Sequence, residues 1–150
     1  MALVKFLVGS TYGNAEQAAE DAAQLLSEAG HTTEVINRAT INDVLKDEDA
    51  ILVFCTATIG QGDVPDNLLN CFEALHEQSP YLANRQYAVI ALGDSSYEEF
   101  AGAGFQLQEL MYDLQASPIL PMLTIDAIET PDPEEPITEW INLLKNKLNG

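Results

Sequence analysis

Apolar and polar positions along this chain fall into blocks of two kinds, short strand-like runs and longer helical stripes, in regular alternation. Leu3–Val8 is an apolar run closed by Gly9, as expected of a buried strand. Ala15, Ala18, Ala19, Ala22, Leu25, Leu26 and Ala29 then recur at helical spacing, with Gly30 as the stop. Thr32–Ile36 reads as a second strand, Ile41–Leu45 as one helical turn, and Ile51–Cys55 as an uninterrupted apolar strand. A turn-rich stretch, 56–67, precedes a helix in which Leu68, Phe72 and Leu75 share a face. Tyr87–Leu92 is a fourth strand closed by Gly93, and Leu107, Leu110, Met111 and Leu114 mark the next helix. Ile119–Ile125 is the fifth strand, placed at an edge by the prolines at 118 and 121. After an acidic, proline-rich connection, Ile137, Trp140, Ile141, Leu144 and Leu148 stripe a final helix.

Strands apolar on both flanks and separated by helices dictate a parallel sheet covered on both faces. The expected fold is therefore α/β: a doubly wound, three-layer sandwich of five parallel strands and at least four helices. It forms a single domain over residues 1–150. Right-handed crossovers leave few topologies, and the pattern alone does not select among them.

Composition is ordinary at 47% hydrophobic and 20% charged residues, but the charge balance is not. Twenty-four acids against six bases leave −18 at neutral pH. Such a chain is repelled by nucleic acid and by anionic membrane surfaces, and attracted to a partner with a basic patch. No apolar run approaches the roughly 18 residues that span a bilayer, and the N-terminal residues lack signal-peptide anatomy. Cys55 and Cys71 are too few for a disulfide framework and have no metal-ligand company. The expected setting is cytoplasmic.

In open parallel sheets, ligands sit beyond the carboxyl ends of the strands. Three loops occupy such positions, and they are the most unusual in composition. The first, Gly9-Ser10-Thr11-Tyr12-Gly13-Asn14-Ala15-Glu16, joins a strand to a helix with small and hydroxyl-bearing residues. Amides at a helix start, aided by hydroxyls, form an anion site. It is neither a Walker loop nor a dinucleotide fingerprint, because the Gly-Lys-Ser/Thr ending and the three-glycine spacing are absent. All six bases lie outside the three loops, so a phosphate here is held by neutral donors. The second loop, 56–67, carries Gly60 and Gly62, which permit backbone conformations closed to other residues. The third, 92–100, places Tyr97 and Phe100 among small polar residues, suited to a planar ring. Each loop also has a plain structural explanation: helix caps, a turn before Pro65, a surface aromatic.

Taken in order at the correct strand ends, these segments resemble the FMN-binding loops of the flavodoxin family. The second and third are similar to the FMN domains of diflavin reductases such as cytochrome P450 reductase and sulfite reductase. In whole length the chain resembles the small bacterial flavodoxins of the MioC/YqcA type. The resemblance implies strand order 2-1-3-4-5 and FMN as cofactor. It places Ser10, Thr11, Tyr12, Gly13, Asn14 and Ala15 around the phosphate. Ala57, Thr58, Ile59 and Gly60 go to the inner face of the ring, with Ile59 against it. Leu92, Gly93, Asp94, Tyr97, Phe100 and Ala101 form the outer wall, with Tyr97 stacked, and Asp126, after the fifth strand, lies near the flavin edge. Tyr12 and Ala15 stand where many members have threonine, and Ile59 where an aromatic is usual.

The function so implied is that of a monomeric short-chain flavodoxin without a substrate of its own. It shuttles single electrons from a basic-surfaced NAD(P)H-dependent flavodoxin reductase to a haem or iron–sulfur enzyme. The competing enzyme reading is an FMN-dependent reductase of quinones or nitro compounds, which needs elements to build a pocket over the ring that this chain lacks. A phospho-receiver needs acids after strand one and an aspartate ending strand three, where Gly9-Ser10 and Thr56-Ala57 stand. No nucleophile–base pair is visible. His31 and His76 read as surface side chains, Cys55 as a small apolar strand residue, and Trp140 as core.

Overall fold

The computed structural model of the chain describes residues 2–10, 13–57, 63–93, 102–126 and 134–149. In order these form β1 (Leu3–Gly9), α1 (Asn14–Glu28), β2 (Thr32–Asn37), α2 (Ile41–Leu45), β3 (Ile51–Ala57) and α3 (Asp66–Gln78). There follow β4 (Gln86–Gly93), α4 (Gly102–Asp113), β5 (Ser117–Pro118), β6 (Leu123–Asp126) and α5 (Glu134–Asn149). All pairings are parallel, in the order β2-β1-β3-β4-β5, with β6 also on β4. This is the α/β sandwich expected from the pattern, in the strand order that the resemblance implies.

Alternation along the strands sorts the core into two layers. Val4, Phe6 and Val8 of β1, with Val53 and Cys55 of β3, pack against Ala18, Ala22 and Leu26 of α1 and Ile141 of α5. Leu7, Phe54 and Val89 point the other way, against Val44 of α2, Leu68 and Leu75 of α3, and Leu107 and Met111 of α4. Trp140 belongs to the first layer and is buried, as expected. Cys55 is likewise buried, and burial pushes its thiol pKa up to about 12.

Two expectations need correction. The fifth strand is not continuous over Ile119–Ile125: β5 pairs Pro118 with Tyr87, and β6 resumes at Leu123 opposite Ile90. The edge strand thus takes five steps against three on β4, a two-residue bulge. Pro121, in the gap, has no N–H for the ladder, and its carbonyl is reached instead by the Trp140 indole N–H at 3.4 Å. His31, in turn, is not a surface side chain. It is buried, and its Nδ1 accepts a hydrogen bond from the Ala2 amide at 3.1 Å, tying the start of β1 to the start of β2. His76 is exposed on α3 as expected.

Candidate functional site at the carboxyl ends of the strands

After β1 the chain moves outward to β2, then returns to the far side of β1 with β3. Strand order reverses there, and the crevice outside the carboxyl ends of β1 and β3 is where an open α/β sheet takes a ligand. Register aligns the strand ends in a row: Gly9 opposite Thr56, Ala57 opposite Leu92, and Gly93 opposite Asp126. Four neighbouring strands at about 4.8 Å spacing make this row roughly 14 Å wide.

At one end of the row β1 gives way to α1. Gly13 is the N-cap of α1 with φ 86°, a left-handed conformation that favours glycine, and no side chain caps the helix. Its N–H donates to Ser10 Oγ at 2.8 Å, so the Ser10 hydroxyl accepts within the turn and keeps its one proton to donate. The Ser10 N–H donates to Asn67 Oδ1 of α3 at 2.9 Å. Asn67 thus fixes where β1 ends relative to α3. It was not among the residues singled out from sequence, and its only signal there is an amide side chain two positions beyond Pro65. Gly9 is required by packing: a Cβ would lie 2.6 Å from Thr56 Oγ1 and 3.0 Å from Leu68.

Among the described residues, no side chain caps the first turn of α1, whose leading amides have no partner within the helix. Asn14 is exposed at its start. Ala15 offers only its amide, because its methyl is wholly buried in the core and its carbonyl accepts from the Cys55 thiol at 3.3 Å. Glu16, the acid of this turn, is drawn aside by a hydrogen bond from Nδ2 of Asn37, the last residue of β2, at 2.9 Å. The turn has no positive side chain in its sequence, and free amides at a helix start are of the kind that suits an anion.

Farther along the row, Ala57, Leu92 and Gly93 are half-buried strand ends. Asp126 closes the row as the last residue of β6, rather than after the strand, and is buried. Ser10, Gly13, Asn14, Ala15, Ala57, Leu92, Gly93 and Asp126 are thus brought to one edge of the sheet. Thr11, Tyr12, Thr58, Ile59, Gly60, Asp94, Tyr97, Phe100 and Ala101 lie outside the described residues.

Residues 7–140 match the protein family described as Flavodoxin. The chain belongs to the flavodoxin family. It is 37% identical over 141 residues to Flavodoxin YqcA of Escherichia coli, an alignment covering 94% of this chain and 95% of that one. It is 33% identical to the Sulfite reductase [NADPH] flavoprotein alpha-component of Bacillus subtilis, covering 97% of this chain but 24% of that larger protein. Among solved structures, a cysteine-to-alanine mutant of Flavodoxin from Pseudomonas aeruginosa superposes with a TM-score of 0.90 at 38% identity, covering 99% of each chain.

Within this family member, acids gather at the same end of the sheet. In such a fold the helix N-termini lie beside the strands' carboxyl ends. Asp66 opens α3, and Glu134 and Glu135 open α5. Acids in a first turn also complement the helix dipole, so part of this gathering is structural. Among the described residues Arg38, beyond the edge strand β2, is the one base at this end. A groove of about 720 Å³ opens at the opposite end, between Asp47, Glu48, Asp49, Gln86, Pro118 and Lys147. Its Asp47 is already paired with Lys5, and it lies far from the switch point. Among the described residues no group of three or more His, Cys, Asp or Glu could hold a metal ion, and no helix is long and apolar enough to cross a membrane.

Proposed function

We propose that this chain is an FMN-binding electron carrier, with the phosphate held by the β1–α1 turn and the ring beyond the ends of β3 and β4. The observation that carries the reading is the turn itself. A glycine N-cap in the left-handed region, a serine hydroxyl folded under it, and an uncapped helix start stand at the switch point of the sheet. These residues suit a phosphomonoester approached by neutral donors. FMN, when bound, supplies the redox chemistry, and the protein tunes it.

The chain's own residues act on that chemistry in three ways. Ser10 and the first α1 amides bind and orient the phosphate, while Asn67 holds the turn in register with α3. Ala57 and Gly93, being small, let backbone approach the ring closely. The acids near the strand ends disfavour added negative charge: two like charges about 4 Å apart at a protein surface repel by about 1–4 kcal/mol before screening. They also sort partners. A basic-surfaced NAD(P)H-dependent reductase as donor, and a haem or iron–sulfur enzyme as acceptor, suit an acidic docking end. The likeness to a quarter of a sulfite reductase flavoprotein supports a place in such a chain of carriers.

The test is direct. Purified protein mixed with excess FMN is expected to turn yellow, quench flavin fluorescence with one-to-one stoichiometry, and release FMN rather than FAD on denaturation. Protein that stays colourless under these conditions overturns the reading.

A further inference from the structure

We propose that the exposed face of α4 is a docking surface for a basic redox protein, with Phe105 and Tyr112 as its apolar contacts. This rests on the electron-carrier reading for its purpose, but the surface is argued from α4 itself. Ala103, Leu107, Leu110 and Met111 take the buried side of that helix. Phe105 and Tyr112, seven residues and nearly two full turns apart, stand on the other side, 53% and 77% exposed. Glu109 lies on the same stripe between them, and their separation along the axis is about 10 Å.

Single exposed aromatics are normal on a soluble protein. Here, however, a third joins them. The Leu82 N–H donates to the Leu114 carbonyl at 2.9 Å, bringing the α3–β4 loop against the end of α4, and Tyr81 in that loop is 75% exposed. The exposed charges of α4, and of α3 that leads into this loop, have one sign. Glu109 and Asp113 of α4 and Glu73 and Glu77 of α3 are exposed, and neither helix contains a lysine or arginine. The first turn of α4, with Phe105, is also continuous with the acidic end of the sheet.

Aromatic anchors set among carboxylates fit a partner whose contact patch has an apolar centre ringed by lysine and arginine. A second copy of this chain is a poor occupant, since each carries −18 and the face repels itself. An anionic lipid surface is repelled for the same reason. The surface thus extends the docking area from the cofactor end down the side of the molecule, which suits a transient electron-transfer contact of modest size.

The test titrates the full chain with a basic cytochrome c as probe, by calorimetry at low and at physiological ionic strength. Replacing both anchors, Phe105→Ala with Tyr112→Ala, is expected to weaken binding about tenfold. Leu143→Ala, an equally exposed apolar residue on α5, is expected to leave it unchanged. Glu109→Gln with Asp113→Asn is expected to flatten its salt dependence. FMN uptake, measured in parallel, should be the same in all variants. The proposal is overturned if the double alanine variant binds cytochrome c as tightly as the unaltered chain. It is equally overturned if the unaltered chain does not bind cytochrome c, or sediments as a dimer that the double substitution dissolves. A chain that takes up no FMN yet loses cytochrome c binding with Phe105 and Tyr112 keeps the docking surface and loses the carrier reading.

Discussion

The two ends of the sheet treat the backbone in opposite ways. At the amino ends, where α2 runs into β3, the chain covers exposed carbonyls with its own cations. Lys5, fully buried, donates to the carbonyls of Asp43 and Lys46 at 3.0 and 3.2 Å and pairs with Asp47 at 2.9 Å. Arg85 donates to the carbonyls of Val44 and Ala50. Two of six bases are thereby taken out of solution to close the end of a five-residue helix. At the carboxyl ends the chain does the reverse, leaving amides of α1 uncapped and keeping positive side chains out of the turn. One end is completed internally; the other is left open, and on the proposed function a ligand completes it. Substitutions at the first should therefore cost stability and spare FMN binding, and those at the second should show the opposite balance.

The largest expected effect is at the closed end. Lys5→Met removes the donor to two carbonyls and the partner of Asp47, and is expected to lower unfolding free energy by about 2–4 kcal/mol in urea titrations. FMN affinity of the folded fraction should stay within about twofold, a change too small for a lost hydrogen bond. A large loss of affinity would show that the two ends are coupled through β1, and the contrast would fail.

Gly9→Ala is next. Its new Cβ meets Thr56 Oγ1 of β3 at 2.6 Å and Leu68 Cδ2 and Cβ of α3 at 3.0 and 3.1 Å, so the Thr56 hydroxyl must shift and α3 must give way from β1. Overpacking of this kind costs about 1–3 kcal/mol, read as a lower urea midpoint. Because Asn67 on α3 holds Ser10, the same displacement should weaken FMN binding as well. This is the one position where both readouts are expected to fall.

Ser10→Ala isolates the open end. Removing the acceptor for the Gly13 amide, and one donor to the phosphate, is expected to weaken FMN by about tenfold, about 1.4 kcal/mol. The apo protein should lose less than about 1 kcal/mol, since the Gly13 amide is only partly buried and water can replace the hydroxyl. Fluorescence quenching titrations and urea melts of the apo form measure the two quantities separately.

Most of the frame was readable from sequence because it is written in periodicity. The uninterrupted runs of β3 and β4 and the stripes of α1 and α5 need only burial to be understood. The first loop was readable for a similar reason: small hydroxyl residues between a strand and a helix have few uses. What escaped depended on contacts between distant segments. Lys5 sits inside an apolar run, yet nothing local says that carbonyls 38 and 41 residues away wait for it. Asn67 serves a turn 57 residues earlier. His31 looked exposed because histidine after a glycine stop commonly is, whereas Ala2 supplies a donor that buries it. The edge strand broke at Pro121 because a proline marks an edge without saying how many residues leave the ladder.

The smallest effect concerns an exposed member of the closed end. The Lys5 ammonium, through its hydrogen bond and its charge, holds the Asp47 carboxyl below its usual value of 3.8. A depressed folded pKa means that the unfolded chain binds the proton more readily, so the contribution is complete above the unfolded value and lost as pH falls through the folded one. Asp47→Asn should accordingly lower the thermal midpoint slightly at neutral pH, with the gap closing as the solution is acidified through and below pH 3.8. Since Asp47 lies at the surface, added salt should shrink the gap at neutral pH too. A gap that persists unchanged in acid would mean that Asp47 acts by shape in the 46–50 loop, and that Lys5 needs only the carbonyls to close this end of the sheet.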